Sequence, residues 1–87
     1  MVKRKSNSRG SHKLLLITWY DAQVDGGWEA TTTILPPALC NSVGWLISDT
    51  DKALVLCGDI GENSGTTETN RRIAIPKDWV IEIKDLK

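Results

Sequence analysis

Phenylalanine is absent from this 87-residue chain, and histidine occurs once, methionine once, cysteine twice and proline three times. The lone histidine, His12, lies in a polar basic stretch near the start. A Ser-His or Cys-His nucleophile pair would need that residue ordered in a cleft, so the sequence argues against this chemistry. Two cysteines, Cys40 and Cys57, cannot form a four-cysteine zinc site, and one histidine cannot complete a site of two cysteines and two histidines. Both thiols read as structural. No apolar run approaches the roughly 20 residues needed to span a bilayer. The basic start runs into Ser6, Asn7, Ser8, Arg9 and Gly10 instead of an apolar stretch, so no signal peptide is expected and the expected location is cytoplasmic.

Other motifs are missing too. Gly26-Gly27 leads into Trp28 with no Lys-Ser/Thr behind it, which excludes a phosphate-binding glycine loop. Asp49 and Asp51, with Asp59 and Glu62, supply oxygen ligands, but the regular spacing and terminal Glu of a calcium loop are lacking. Asp21, Asp25, Glu29, Asp59 and Glu62 are the candidate acid–base carboxylates. Asp25, Asp59 and Glu62 lie in or beside glycine turns, where local backbone hydrogen bonds explain an acid. The expectation is a chain that is not an enzyme and takes no cofactor or metal.

The formal charge is zero, but its distribution is uneven. Residues 1–13 carry Lys3, Arg4, Lys5, Arg9 and Lys13 and no acid. Residues 14–87 hold the other 6 cations and all 11 acids, a net charge of −5. Residues 1–13 therefore read as a disordered basic tail, too poor in apolar groups to order itself, and 14–87 as one small domain.

What remains is a series of short apolar runs bounded by turn residues. Leu14 to Tyr20 reads as a first strand, and Trp28 to Ile34 as a second strand or irregular edge, since three threonines in a row favour extended backbone. Ser42 to Ser48 and Ala53 to Cys57, separated by Asp49-Thr50-Asp51-Lys52, read as a hairpin. Val43, Trp45 and Ile47 share one face there, and Gly44 marks a bulge or sharp bend. Gly61 to Asn70 reads as a mobile polar loop. Arg71 to Ile75 is a further strand, Pro76 to Trp79 fits a single 3₁₀ turn, and Trp79, Ile81 and Ile83 alternate with polar neighbours as a half-buried last strand. The fold expected is all-β: a small five-stranded SH3-like or Sm-like barrel, or a strongly bent sheet, with one 3₁₀ turn before the last strand. Trp45 and Trp79 are expected inside it.

The ordered set Ile17-Thr18-Trp19-Tyr20-Asp21-Ala22, Gly27-Trp28, Ser42-Val43-Gly44-Trp45-Leu46-Ile47 and Ile75-Pro76-Lys77-Asp78-Trp79-Val80-Ile81-Glu82-Ile83 resembles short bacteriophage- and prophage-encoded proteins of unknown function. The resemblance covers residues 14–86 and leaves the basic tail outside. It implies phage origin, host cytoplasm and a small accessory role.

Two functional expectations follow. The first is a protein-binding module presenting Trp28 with Asp21, Asp25 and Glu29 from the loop after the first strand, because tryptophan supplies large contact area at interfaces. The alternative is a nucleic-acid-binding module using Lys3, Arg4 and Lys5 of the tail with Arg71 and Arg72, against which the acidic body repels phosphate. An unpaired edge strand leaves a homo-oligomer open.

Overall fold

The computed structural model describes residues 12–86. Five strands follow one another: β1 (Leu14–Asp21), β2 (Ala38–Asp49), β3 (Ala53–Asn63), β4 (Thr66–Pro76) and β5 (Val80–Asp85), with one 3₁₀ turn, Lys77–Trp79, before β5. They form a single antiparallel sheet in the order β4-β3-β2-β1-β5. The all-β class, the five strands and the 3₁₀ turn are as expected. The ladder is open: β4 and β5 are its two edges, and no pairing joins them among the described residues. No helix among them is long and apolar enough to cross a membrane.

A single-layer sheet has nothing stacked on it, yet Ile17 on β1 and Ile75 on β4 are both 0% exposed. The sheet must therefore cover its own face by bending. The core gathers Leu15, Ile17 and Trp19 of β1, Leu54 and Leu56 of β3 and Ile75 of β4, with Cys40, Leu46 and Val80 packed at its margin. Side chains alternate along a strand, so the pairs Leu15–Gly44, Ile17–Ser42 and Trp19–Cys40 all face inward. Trp19 satisfies its indole N–H by donating to Ser42 Oγ at 3.0 Å.

The bend has identifiable devices. Gly44 is buried on the concave face, where an added Cβ would lie 2.7 Å from the Cys57 carbonyl oxygen. Bare backbone at this position lets β2 and β3 approach. The register slips between Leu46 and Ser48 in the β2–β3 ladder and between Thr18 and Trp19 in the β1–β5 ladder, and such bulges bend and twist a sheet. The β2–β3 turn is closed by Thr50, whose N–H donates to the Ala53 carbonyl at 3.0 Å while its Oγ1 accepts from the Ala53 N–H at 3.2 Å. Lys77 ties the 3₁₀ turn to this corner: its N–H donates to the Lys52 carbonyl at 2.8 Å, and its ammonium pairs with Asp49.

One open reading is decided here and two expectations are corrected. Of the two readings of Trp28 to Ile34, a second strand or an irregular edge, the strand is excluded. The stretch lies in the irregular segment 22–37, where the Thr33 N–H turns back to the Ala30 carbonyl at 3.0 Å. Threonine favours extended backbone but supplies no strand partner. Gly61 to Asn70 is not a loop: β3 and β4 run through it and turn at Ser64-Gly65, with φ of 52° and 79°. Two successive positive φ values match the twist of a two-residue hairpin, and Gly65 takes the second at no steric cost. Thr67 Oγ1 reinforces this tip by donating to Glu62 Oε2 at 2.7 Å.

The tryptophans are placed differently as well. Trp19 is the buried one, at 6% exposure. Trp45 sits on the outer face opposite Leu14 and Cys57, because Gly44 and Leu46 take the inward positions of β2. Trp79 is 44% exposed and stacks on Trp19 with ring centroids 6.5 Å apart, so it lids the core from outside. At the end of the basic stretch, the Leu46 N–H donates to the Lys13 carbonyl at 2.8 Å, and His12 Nδ1 lies 3.0 Å from the Leu46 carbonyl. Residues 1–11, with Lys3, Arg4 and Lys5, lie outside the described residues.

Candidate protein-binding surface

The segment 22–37 leaves β1 at Asp21 and rejoins the sheet after Pro36-Pro37. Its shape comes from local polar contacts. Asp21 Oδ1 accepts the Ala22 N–H at 2.7 Å, and Asp25 Oδ1 accepts the Gly27 N–H at 3.0 Å. The second contact is an Asx turn, which the following glycine favours. These two carboxylates thus brace the loop while each keeps an oxygen for other contacts.

On this frame the loop holds its apolar side chains in solvent. Val24 is 87% exposed, Ile34 84% and Trp28 99%. A fully exposed tryptophan forgoes most of the stabilisation its burial would bring, about 4–6 kcal/mol for 150–250 Å² of apolar area. The charge around it has one sign. No Lys or Arg occurs between Lys13 and Lys52, whereas Asp21, Asp25 and Glu29 all belong to this region.

The apolar surface continues onto the outer face of β1 and β2. Tyr20 and Leu39 pair at the loop's root and are 47% and 60% exposed; Leu16 pairs with Val43, which is 59% exposed. Thr18 Oγ1 donates to Asn41 Oδ1 at 2.7 Å between these two apolar pairs. Of the four expected residues, the structure puts Asp25, Trp28 and Glu29 on the exposed loop and Asp21 at its root. Tyr20, Leu39 and Val43 were missed. The sequence offered one signal for them, the pairing of an outward β1 face with an outward β2 face, and that is readable only once Gly44 is known to point inward.

Of the residues of the alternative, Arg71 and Arg72 are among those described, and these two are not brought together. Arg71 has φ of 52° within β4, its N–H held by Asn70 Oδ1 at 2.8 Å. Its guanidinium lies over Gly58 and grips Asp59 with two bonds, Nε to Oδ2 at 2.8 Å and Nη2 to Oδ1 at 3.1 Å. This hydrogen bonding holds the Asp59 carboxyl below the usual carboxylate range and raises Arg71. Arg72 pairs with Cys57 and projects to the opposite face of the sheet.

The two thiols are free and also lie on opposite faces, Cys40 beside Trp19 and Cys57 beside Trp45. Burial, and then the charge of Asp59, pushes the Cys57 thiol up. Among the described residues, no three His, Cys, Asp or Glu side chains group to hold a metal ion.

Comparison with known proteins adds no relative: no protein family matches the chain, and no match was found among curated proteins or solved structures.

Proposed function

We propose that this chain is a non-enzymatic protein-binding module, a small accessory protein of the phage type its ordered motifs resemble, working in the host cytoplasm on a host or phage protein. One observation carries the reading: Trp28 stands 99% exposed on a loop whose charged residues are all acidic. The tryptophan is the anchor, entering an apolar socket on the partner. Asp21, Asp25 and Glu29 flank it and select a basic rim by charge complementarity. Tyr20 and Leu39 extend the contact onto the sheet. The scaffold in this reading is a small SH3-like or Sm-like barrel, supported by the strand order and by the single 3₁₀ turn before β5.

The experiment is capture of a partner from host lysate, its identification by mass spectrometry, and titration calorimetry with the purified partner. Trp28→Ala should raise Kd at least about thirtyfold, the equivalent of a 2 kcal/mol hot spot. Asp25→Ala should raise it less, mainly by slowing association. Unchanged affinity in both variants, with circular dichroism unaltered, removes this surface from consideration.

The nucleic-acid alternative is weakened by the engagement of Arg71 with Asp59 and by the net charge of −5 over residues 14–87. A gel shift at low salt that disappears without residues 1–13 would restore it.

A further inference from the structure

Among the described residues, the edge of β5 is the other apolar feature left uncovered. Ile81 and Ile83 are 52% and 50% exposed, although Ile83 faces the core side opposite Ile17. The strand's backbone is poised for a further partner. The Leu86 N–H donates to the Leu14 carbonyl at 2.9 Å, which makes 14 and 86 a hydrogen-bonded pair. Antiparallel ladders alternate, so Leu16 and Lys84 bond next, while Ile17 and Ile83 turn their N–H and C=O groups away from each other. Those of Ile17 point to β2, consistent with the Leu46 N–H bonding Lys13 on the same ladder. Those of Ile83 point to the open edge.

The two edges differ in how they are guarded. On β4, Arg71 breaks the extended backbone at φ 52° and Pro76 ends the strand. From Glu82 to Asp85, β5 has neither a bulge nor a proline. A regular, half-apolar edge of this kind is a template for another strand.

We propose that the β5 edge pairs with the β5 edge of a second copy of this chain, antiparallel and centred on Ile83. Charge fixes both the occupant and the register. Side-chain faces match only when the two opposed residues differ by an even number. Centring on Glu82 sets that carboxylate against its own copy. Centring on Ile83 instead sets Ile83 against Ile83 through two backbone hydrogen bonds, and Glu82 against Lys84 twice, in the closer non-hydrogen-bonded positions of the ladder. Ile81, the extra residue at the register slip in the β1–β5 ladder, marks the end of this regular paired run. The sequence Ile81-Glu82-Ile83-Lys84-Asp85 is thus complementary to itself in one register, and a two-fold axis through Ile83 closes the assembly at two copies.

The test is sedimentation equilibrium of the full chain from about 1 μM to 1 mM, a range suited to a short-edge dimer. The wild type should show a monomer–dimer equilibrium. Glu82→Lys alone and Lys84→Glu alone should each dissociate more readily, roughly thirtyfold, because two attractive cross-strand pairs become repulsive. Mixed one to one, the two variants should dimerise again, since each Lys now meets a Glu in both pairs. Both positions are exposed on the outer face, and circular dichroism checks that each variant folds. Trp28→Ala should leave the dimer intact, which separates this interface from the loop. A wild type monomeric at 1 mM, single variants as tight as wild type, no recovery on mixing, a dimer lost in Trp28→Ala, or assemblies larger than two would each overturn the proposal.

Discussion

Gly44 gives the sharpest test of how this sheet bends. In most strands, replacing glycine by alanine stabilises by about 0.4–1 kcal/mol, because the unfolded chain loses freedom. Here the sign should reverse. The new Cβ would lie 2.7 Å from the Cys57 carbonyl oxygen and 3.0 Å from Leu56 Cβ, atoms of the neighbouring strand's backbone and its core anchor. Neither can swing aside as a flexible side chain does, so β2 and β3 must part by several tenths of an ångström where the core is tightest. Overpacking of this kind costs about 1–3 kcal/mol, leaving a net loss of about 1–2 kcal/mol after the entropic gain. A domain of this size has about 4–13 kcal/mol in total. With a urea slope of about 1 kcal/mol/M, the midpoint should fall by about 1–2 M at unchanged slope. Two controls sharpen the result. At Gly61, on the hairpin, a Cβ meets nothing within 4 Å, so Gly61→Ala should raise the midpoint. At Gly58 the Cβ meets the Arg71 guanidinium, 2.8 Å away but at the end of a mobile chain, so Gly58→Ala should cost less than Gly44→Ala. A Gly44→Ala protein as stable as wild type, or more stable, would refute the close-approach account of the bend.

Two further predictions concern titrating groups. Burial raises the Cys57 thiol, so in the native chain Cys57 should resist a disulfide reagent at pH 8 while Cys40, half-buried, reacts first; because the unfolded thiol ionises at lower pH than the folded one, Cys57 should also cost stability as pH rises past the ordinary thiol range. Asp59 titrates below the usual range because Arg71 hydrogen-bonds its ionised form, so its contribution is present above the ordinary carboxylate pKa and lost as pH falls through the lowered folded value; carboxyl NMR should show Asp59 returning toward the ordinary value in Arg71→Gln, and an unmoved titration would break the link between the two residues.

Much of the fold was legible because hydrophobic alternation and turn chemistry are local signals. Leu14 to Tyr20, the Asp49–Lys52 turn and the Pro76–Trp79 turn all read correctly from neighbours in sequence. The errors share a cause. The hairpin tip 61–70 has almost no apolar content, so periodicity gives nothing there, and its structure rests on φ at Ser64 and Gly65 and on a Thr67–Glu62 contact across the ladder. In β2 the more apolar set, Val43, Trp45 and Ile47, looked like the core set. The tight approach of Gly44 to Cys57 reverses that choice, and no local pattern reports it. The candidate site was legible to the extent that Trp28 follows Gly26-Gly27 in a polar setting. Its extension through Tyr20, Leu39 and Val43 depends on the reversed face of β2 and was therefore invisible.

That reversal also explains why the molecule has apolar surface left over. By placing Gly44 and Ser42 inward, β2 contributes little volume to the core, and the side chains a sandwich would bury on its second face, Val43 and Leu39, stay in water. A bent single layer covers mainly one face, and on the outer one only Cys57, paired with Trp45, is buried among the described residues. Its outer face and its last edge must be either polar or occupied. Along β4 the edge is guarded by the break at Arg71 and by Pro76. Along β1, β2 and the 22–37 loop the outward groups are apolar with acidic neighbours, and the β5 edge alternates isoleucine with opposite charges along the chain. The first pattern lacks a cation, and in the proposed reading it selects a basic partner. The second carries both signs in one strand and so is satisfied by its own copy. The two proposed surfaces thus differ in selectivity, and the charge pattern that separates them is written in residues 21–29 and 81–85.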